Sequence, residues 1–400
     1  MAEDTGHTQT APKGNRLLIA LAGRRNVGKS SLLNAIIGQE VSIVSDVAGT
    51  TTDAVVKHYE LLPFGPVTFY DTAGFDDEGD LGKKRIAATD KVLWRTDMVL
   101  LVTDETGLGE FEQNLLSRLK SLQVPYLIVR NKADKAPSKS LPQEGEGIDI
   151  SVSSLTGEGI EALKELIIRN VPESFKNKKT LLAGLVRQEE TVACIAPIDS
   201  SAPAGRLILP QVQVIREILD NHAYALVSQS VTPELLNRKP DLIITDSQAL
   251  KEVAAAVPDN IPLTTFSLLF ARFKGELASL VKGAETISRL QPDDEVLIAE
   301  ACSHHAQGDD IGRVKIPNLI RALTGHELKF SFSSGHDFPA DLERYSLVVH
   351  CGGCMLGQLE MLRRIHECER RGVPITNYGM AISTALGVLP RVLKPFAGEF

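Results

Sequence analysis

The sequence predicts an α/β chain built on mostly parallel sheets, and three observations predict it. Short apolar runs alternate with helical stretches from residue 16 to about 171, the pattern of a parallel sheet covered on both faces. A glycine-rich P-loop motif stands between the first apolar run and the first helix, which is the context such a motif requires. The alternation resumes after a polar, lysine-rich stretch at 172–180 (PESFKNKKT) and continues to the C-terminus.

These cues divide the chain into a disordered tail (1–15), a first domain (16–171), a linker (172–180), a middle domain (181–262) and a last domain (263–400). In the first domain strands are expected over 17–22, 67–70, 98–103, 126–129 and 148–152, and helices over 29–37, 111–122 and 160–168. The middle domain reads as strands 192–198, 207–209, 223–227 and 242–245. Its helix, 210–221, carries Val212, Ile215, Ile218 and Leu219 on one face. The last domain reads as helix 268–290, strand 295–299, helix 315–323, strands 328–332 and 347–350, and helix 356–371. No internal repeat is apparent.

Composition narrows the function classes. A length of 400 residues suggests two or three domains, and 43% hydrophobic with 24% charged residues excludes wholesale disorder. The longest apolar runs, such as 98–102 and 347–349, fall far short of a membrane span. The polar first 15 residues have no apolar signal core. Five cysteines, an odd number, do not suggest a disulfide framework. A cytoplasmic, soluble protein without a membrane partner is expected. The net charge of −8 gives no general support to a nucleic-acid partner.

The chemistry of the first domain is a guanine-nucleotide site. Gly23, Asn26, Val27, Gly28, Lys29, Ser30 and Ser31 lie in and just beyond a full G-x-x-x-x-G-K-[ST] loop, whose backbone N–H groups close around phosphates at a helix N-terminus. Lys29 suits the β/γ-phosphates, and the Ser30 hydroxyl suits Mg²⁺. Asp71-Thr-Ala-Gly74 follows a strand; Asp71 can hold Mg²⁺ through water, and the Gly74 N–H can reach the γ-phosphate. Thr51 lies in the intervening loop, where its hydroxyl can ligate Mg²⁺ only while a γ-phosphate is present. Asn131-Lys132-Ala133-Asp134 follows the next strand, and the Asp134 carboxylate can accept two hydrogen bonds that guanine offers and adenine does not. Ser153 and Ser154 then bring a backbone N–H toward the guanine oxygen. Each element is weak alone; together and in this order they specify a GTPase.

The last domain carries a metal-type constellation. Cys302-Ser-His304-His305 and His350-Cys351-Gly-Gly-Cys354 each follow an apolar strand, with 45 residues between His304 and His350. Loops leaving one edge of an α/β sheet commonly converge, and the two glycines allow a tight turn between the thiols. A 4Fe-4S cluster on three cysteines, a Cys₃His zinc site and a dithiol redox pair all remain open. Cys194 and Cys368 read as uninvolved, and His305, His326, His336 and His366 as ordinary residues.

The first domain resembles the TrmE–Era–EngA-like branch of GTPases. In several of those proteins an asparagine matching Asn26 helps to hold an activating K⁺; Asn26 also fits an ordinary polar loop residue. Phe75, not glutamine, follows Gly74, so turnover is expected to be slow and dependent on K⁺ or a partner. With its C-x-H…H-C-x-x-C pattern, the whole chain resembles the maturation GTPases of FeFe-hydrogenases. That resemblance implies a GTP-hydrolysing scaffold or carrier, dimeric through its middle domain. Its 4Fe-4S cluster would sit on Cys302, Cys351 and Cys354, with His304 or His350 as a labile fourth ligand. It implies as cargo the diiron precursor of the H-cluster, and as partners apo-FeFe-hydrogenase and two radical-SAM maturases. The alternative is a tRNA-modifying or ribosome-assembly GTPase with structural zinc. The acidic charge speaks against it, as does the lack of a basic, aromatic strip; Phe270, Arg272, Phe273 and Lys274 come nearest but read as a packed helix. An iron–sulfur redox enzyme that uses GTP only for regulation lacks a second cofactor motif.

Overall fold

Six consecutive apolar residues, Leu17–Ala22 (LLIALA), form β1, and every one is buried. Strand β4 (Met98–Thr103, MVLLVT), five apolar residues and a threonine, is likewise buried throughout. Such runs, apolar on both faces, belong to central strands of a parallel sheet. They sit side by side in a six-stranded sheet with β2 (Val55–Leu61), β3 (Gly65–Asp71), β5 (Tyr126–Arg130) and β6 (Ile148–Ser151), in the order β2-β3-β1-β4-β5-β6. β2 alone is antiparallel, pairing with β3. It has no counterpart in the sequence reading, because its charged and apolar residues (VVKHYEL) interleave. The computed structural model describes residues 16–38, 55–72, 92–135, 148–176, 180–198, 205, 207–301 and 310–399. The chain divides into two compact units between Lys178 and Lys179, within the expected linker, where Glu173–Lys176 form a helical turn.

The second unit holds two four-stranded sheets, parallel throughout. β7 (Thr191–Ile195), β8 (Tyr224–Ser228), β9 (Leu242–Thr245) and β10 (Leu263–Thr265) are ordered β10-β9-β7-β8. β11 (Glu295–Glu300), β12 (Lys329–Ser334), β13 (Leu347–His350) and β14 (Ile375–Asn377) are ordered β12-β11-β13-β14. One buried core runs through both, from Leu181 and Cys194 to Ile365 and Phe396.

Four expectations need correction. β10, assigned from sequence to the last domain, pairs with β9 and completes the middle sheet, so the 262/263 boundary falls too early. The single helix 268–290 is two, Phe266–Lys274 and Leu277–Thr286; Gly275 turns extended after its N–H closes the last turn on Ala271. Residues 207–209 are not a strand. Pro210 sits in the first turn of the helix Leu209–Asp220, where its missing N–H costs nothing. That helix buries Gln211, Val214 and Ile218, while Val212 and Leu219 are about half exposed.

Candidate functional site

In the first unit the P-loop leaves β1 where the strand order reverses, between β3 and β4. This is the position at which doubly wound sheets bind ligands. Gly23, Asn26 and Gly28 all have positive φ. A Cβ on Gly23 would lie 2.2 Å from the Val102 carbonyl oxygen, and one on Gly28 would lie 2.4 Å from Asn131 Nδ2. Glycine at both positions is therefore a steric requirement as well as a conformational one. Val27 packs into the core beneath the loop, and Asn26 and Ser31 are exposed.

Lys29 opens the helix Lys29–Ile37 and donates to the carbonyls of Gly23 (3.0 Å) and Arg24 (2.8 Å). Ser30 Oγ donates to Asp71 Oδ2 at 2.5 Å, so the two side chains expected at Mg²⁺ meet although 41 residues separate them. Thr72, not foreseen, ties β3 to β1 through a bond from its hydroxyl to the Leu21 carbonyl (2.6 Å). Thr51 and Gly74 lie outside the described residues.

Asn131 holds the two halves of the site together. Its Nδ2 donates to the Val27 carbonyl (3.0 Å), and its Oδ1 accepts from Ser154 N (3.1 Å) and Oγ (2.8 Å). Ser153 Oγ donates to Asp134 (2.5 Å), which keeps an exposed carboxylate at the mouth. Lys132 pairs loosely with Asp104 (3.5 Å). Sequence reasoning missed Arg24, whose guanidinium reaches Glu112 (2.7 Å) and Thr106 (2.7 Å). Glu112 also caps Gly109 N (2.8 Å). The P-loop is thereby braced against the helix Glu110–Ser121.

In the second unit the order reverses between β11 and β13, and the two thiol segments follow these strands. Cys302, His304 and His305 lie outside the described residues. Ala301, the residue before them, donates its N–H to Cys351 Sγ at 3.0 Å. Burial pushes the Cys351 thiol up, and the N–H groups of Gly353 and Ala301 pull it back. Gly353, at φ +59°, makes the turn to Cys354. Cys351 and Cys354 are both free, half-buried thiols. Soft sulfur donors on a tight turn, with an N–H aimed at one of them, fit an iron–sulfur cluster. Cys194 and Cys368 are buried thiols pushed up to about 12 by burial.

His350, expected as a possible fourth ligand, is fully buried, and both ring nitrogens are engaged. Nδ1 donates to the Cys351 carbonyl (2.7 Å), and Nε2 faces Arg364 Nη1 (2.9 Å). A carbonyl only accepts and a guanidinium only donates, so the imidazole is neutral with its proton on Nδ1. Burial and Arg364 pull its pKa down to about 3. In this arrangement its Nε2 lone pair is spent on Arg364, which makes His350 a support for Cys351. Behind Arg364 lie Glu360 (2.9 Å), itself fully buried, and half-buried His336, 3.0 Å from Glu360. Burial opposes the Glu360 charge, but the bonds from His336 and Arg364 outweigh it and hold that carboxyl below its usual range. His336 is thus part of a buried network, while His366 pairs with Glu276 on the surface (3.0 Å).

A doubly wound first unit with this loop chemistry is a P-loop GTPase domain, here followed by two further α/β sheets. Residues 18–132 match the family model for the 50S ribosome-binding GTPase. Residues 181–275 match the Hydrogen maturase F dimerization domain and 278–395 the Hydrogen maturase F tetramerization domain. The chain belongs to the hydrogen maturase F (HydF) family. Among curated proteins it is similar to the tRNA modification GTPase MnmE of Nitrosomonas europaea, 39% identical over 154 residues, which are 38% of this chain and 34% of that one. MnmE of Mannheimia succiniciproducens is 38% identical over 215 residues, 50% of this chain and 47% of that one. The chain thus spans about a third to a half of the length of the curated relatives it matches. Among solved structures, Aquifex aeolicus Era bound to GDP·AlF4⁻ aligns with TM-score 0.35 and 22% identity, over 60% of this chain and 99% of Era. At that score the family models and the curated relatives carry the assignment. No helix among the described residues is long and apolar enough to cross a membrane.

Proposed function

We propose that the chain is a GTP-switched scaffold that binds a 4Fe-4S cluster through Cys302, Cys351 and Cys354. In this reading it carries the diiron H-cluster precursor to apo-FeFe-hydrogenase in the cytoplasm, receiving that cargo from two radical-SAM maturases. The observation that carries the proposal is the Ala301 N–H on Cys351 Sγ. It draws the end of β11, one residue short of Cys302, to the thiol that follows β13, in a chain with the HydF domain order. The cluster would supply an iron site with one exchangeable position. The chain's own residues do the rest: Ala301 and Gly353 direct N–H groups at sulfur, and His350 and Arg364 hold the Cys351 backbone.

GTP acts as a conformational timer. Lys29, Ser30 and Asp71 hold the phosphates and Mg²⁺, and Thr51 and Gly74 sense the γ-phosphate. Asn131, Lys132, Asp134, Ser153 and Ser154 select guanine. With Phe75 in place of a water-orienting glutamine, hydrolysis is slow, and Asn26 provides for stimulation by K⁺.

The chain works as a homodimer through its middle sheet. Support comes from the match to a dimerization domain and from β8, an edge strand on which Tyr224 and Val227 are exposed, as are Val212 and Leu219 on the helix Leu209–Asp220. An apolar edge of this kind is a template for pairing. The tRNA modification named for the MnmE relatives has less support, because Phe270 and Lys274 are buried in the helix that came nearest to a basic, aromatic strip.

The test is transfer. Protein isolated anaerobically from cells that co-express the maturases is mixed with apo-FeFe-hydrogenase, and H₂ evolution is measured. Activation that disappears with Cys351→Ser supports the carrier; no activation by the loaded wild type refutes it.

A further inference from the structure

We propose that Lys274 is a positioning residue for the thiol loop. Its buried ammonium grips the carbonyls of that loop, fixes the turn that presents Cys351 and Cys354, and supplies a positive charge beside their sulfurs. The charge half of this proposal rests on the cluster reading above; the loop half does not.

Lys274 is the last residue of the helix Phe266–Lys274 and is 2% exposed. Its Nζ donates to the carbonyls of Gly353 (2.9 Å), Cys354 (3.2 Å) and Leu356 (2.8 Å). An ammonium has three N–H donors, and all three go to a single loop about 80 residues away in sequence. Cys351 is held from the other side by His350 and Ala301; at 353–356 Leu356 N–H closes on the Gly353 carbonyl (3.0 Å), and just beyond, Gln358 Nε2 donates to the Phe273 carbonyl (3.0 Å). Phe273 and Lys274 together staple the end of this helix to the thiol turn.

The choice of lysine needs an explanation. Neutral donors can satisfy carbonyls, whereas burying an ammonium is costly unless an anion faces it. Among the described residues no carboxylate forms an ion pair with Lys274. Its Nζ stands over the Phe270 ring, 5.7 Å from the centroid. Carbonyl oxygens only accept, so its three bonds call for three N–H groups, which the ammonium has and the neutral amine lacks. The thiols are the groups on the loop that become anionic when they ligate a metal. The ammonium therefore finds its counter-charge in the ligated state of that loop.

Two measurements on the full chain test this. In the metal-free protein, hydrogen exchange of residues 351–356 should quicken about tenfold or more in Lys274→Met, with the rest of the second unit unchanged. In the anaerobically reconstituted protein, redox titration should give a more negative midpoint for Lys274→Met and Lys274→Gln, because a nearby cation favours the reduced cluster. Lys274→Arg, which keeps charge and donors, should stay near wild type; it also serves if the Met variant fails to melt cooperatively. Unchanged exchange in Lys274→Met overturns the loop role, and an unchanged midpoint in a loaded Lys274→Met overturns the charge role. A wild-type chain that takes up no iron, while the Lys274→Met loop opens, would retire the cluster and support the loop role.

Discussion

The two sheets of the second unit run in the same order but carry different groups at their C-terminal edges. Each has its first strand where the order reverses, β7 between β8 and β9, and β11 between β12 and β13. Beyond β9 the chain closes with Asp246, whose N–H donates to the Ile195 carbonyl (3.1 Å) and whose carboxylate accepts weakly from Gln211 (3.4 Å). Beyond β13 the same position holds Cys351, with an N–H from Ala301 on its sulfur and a buried network of His350, Arg364 and Glu360 behind it. The edges differ as well. β8 leaves Tyr224 and Val227 bare, while on β12 Arg321 and Arg313 stand over the rings of Phe330 and Phe332 (4.8 and 5.5 Å to the centroids). A doubly wound sheet provides the crevice, and the side chains at the reversal decide its chemistry. In the first unit the reversal holds a phosphate loop, in the last sheet thiols, and in the middle sheet, among the described residues, neither.

The largest effect expected from breaking this pattern is at the nucleotide loop. Asp134→Asn should weaken GTP about a hundredfold or more, since two charge-assisted bonds to guanine are lost; calorimetry reads the change, and iron binding should not follow it. Next comes the support behind Cys351. Arg364→Met leaves Glu360 buried without its guanidinium and should cost about 3–5 kcal/mol in urea unfolding. Acid should act on the same network. His350 titrates near its ordinary 6.5 when unfolded and near 3 when folded, so the unfolded chain binds the extra proton. Its stabilising contribution is complete above about pH 6.5 and is lost as pH falls toward 3. His350→Gln should flatten that part of the stability–pH curve. The smallest effect is expected at the middle sheet. Tyr224→Glu with Val227→Glu should weaken self-association about tenfold or more in sedimentation, with GTP hydrolysis by the first unit retained.

What could be read from sequence was what is local. The P-loop, Asn131–Asp134 and the C-x-x-C pair are short motifs with fixed spacing, and the strands 98–103, 242–245 and 347–350 end where the apolar runs end. The supports of the thiol site were not legible, because Lys274, Glu360 and Arg364 come from two helices and look like ordinary helix charges. Arg364 and Glu360, four residues apart, resemble a surface pair until the fold buries both. The helix boundary at Gly275 was hidden by an unbroken apolar periodicity on either side. The kinship of the two small sheets left no trace either, since shared strand order needs no shared residues.

The most direct measurement is anaerobic reconstitution with iron and sulfide, followed by EPR of the reduced chain. It compares the wild type with Cys302→Ala and with Cys194→Ala, the buried thiol of β7 in the middle sheet. A cluster carrier gives an S = 1/2 signal that is lost in Cys302→Ala and kept in Cys194→Ala. Tightly bound zinc with no iron–sulfur signal in any of the three would contradict it.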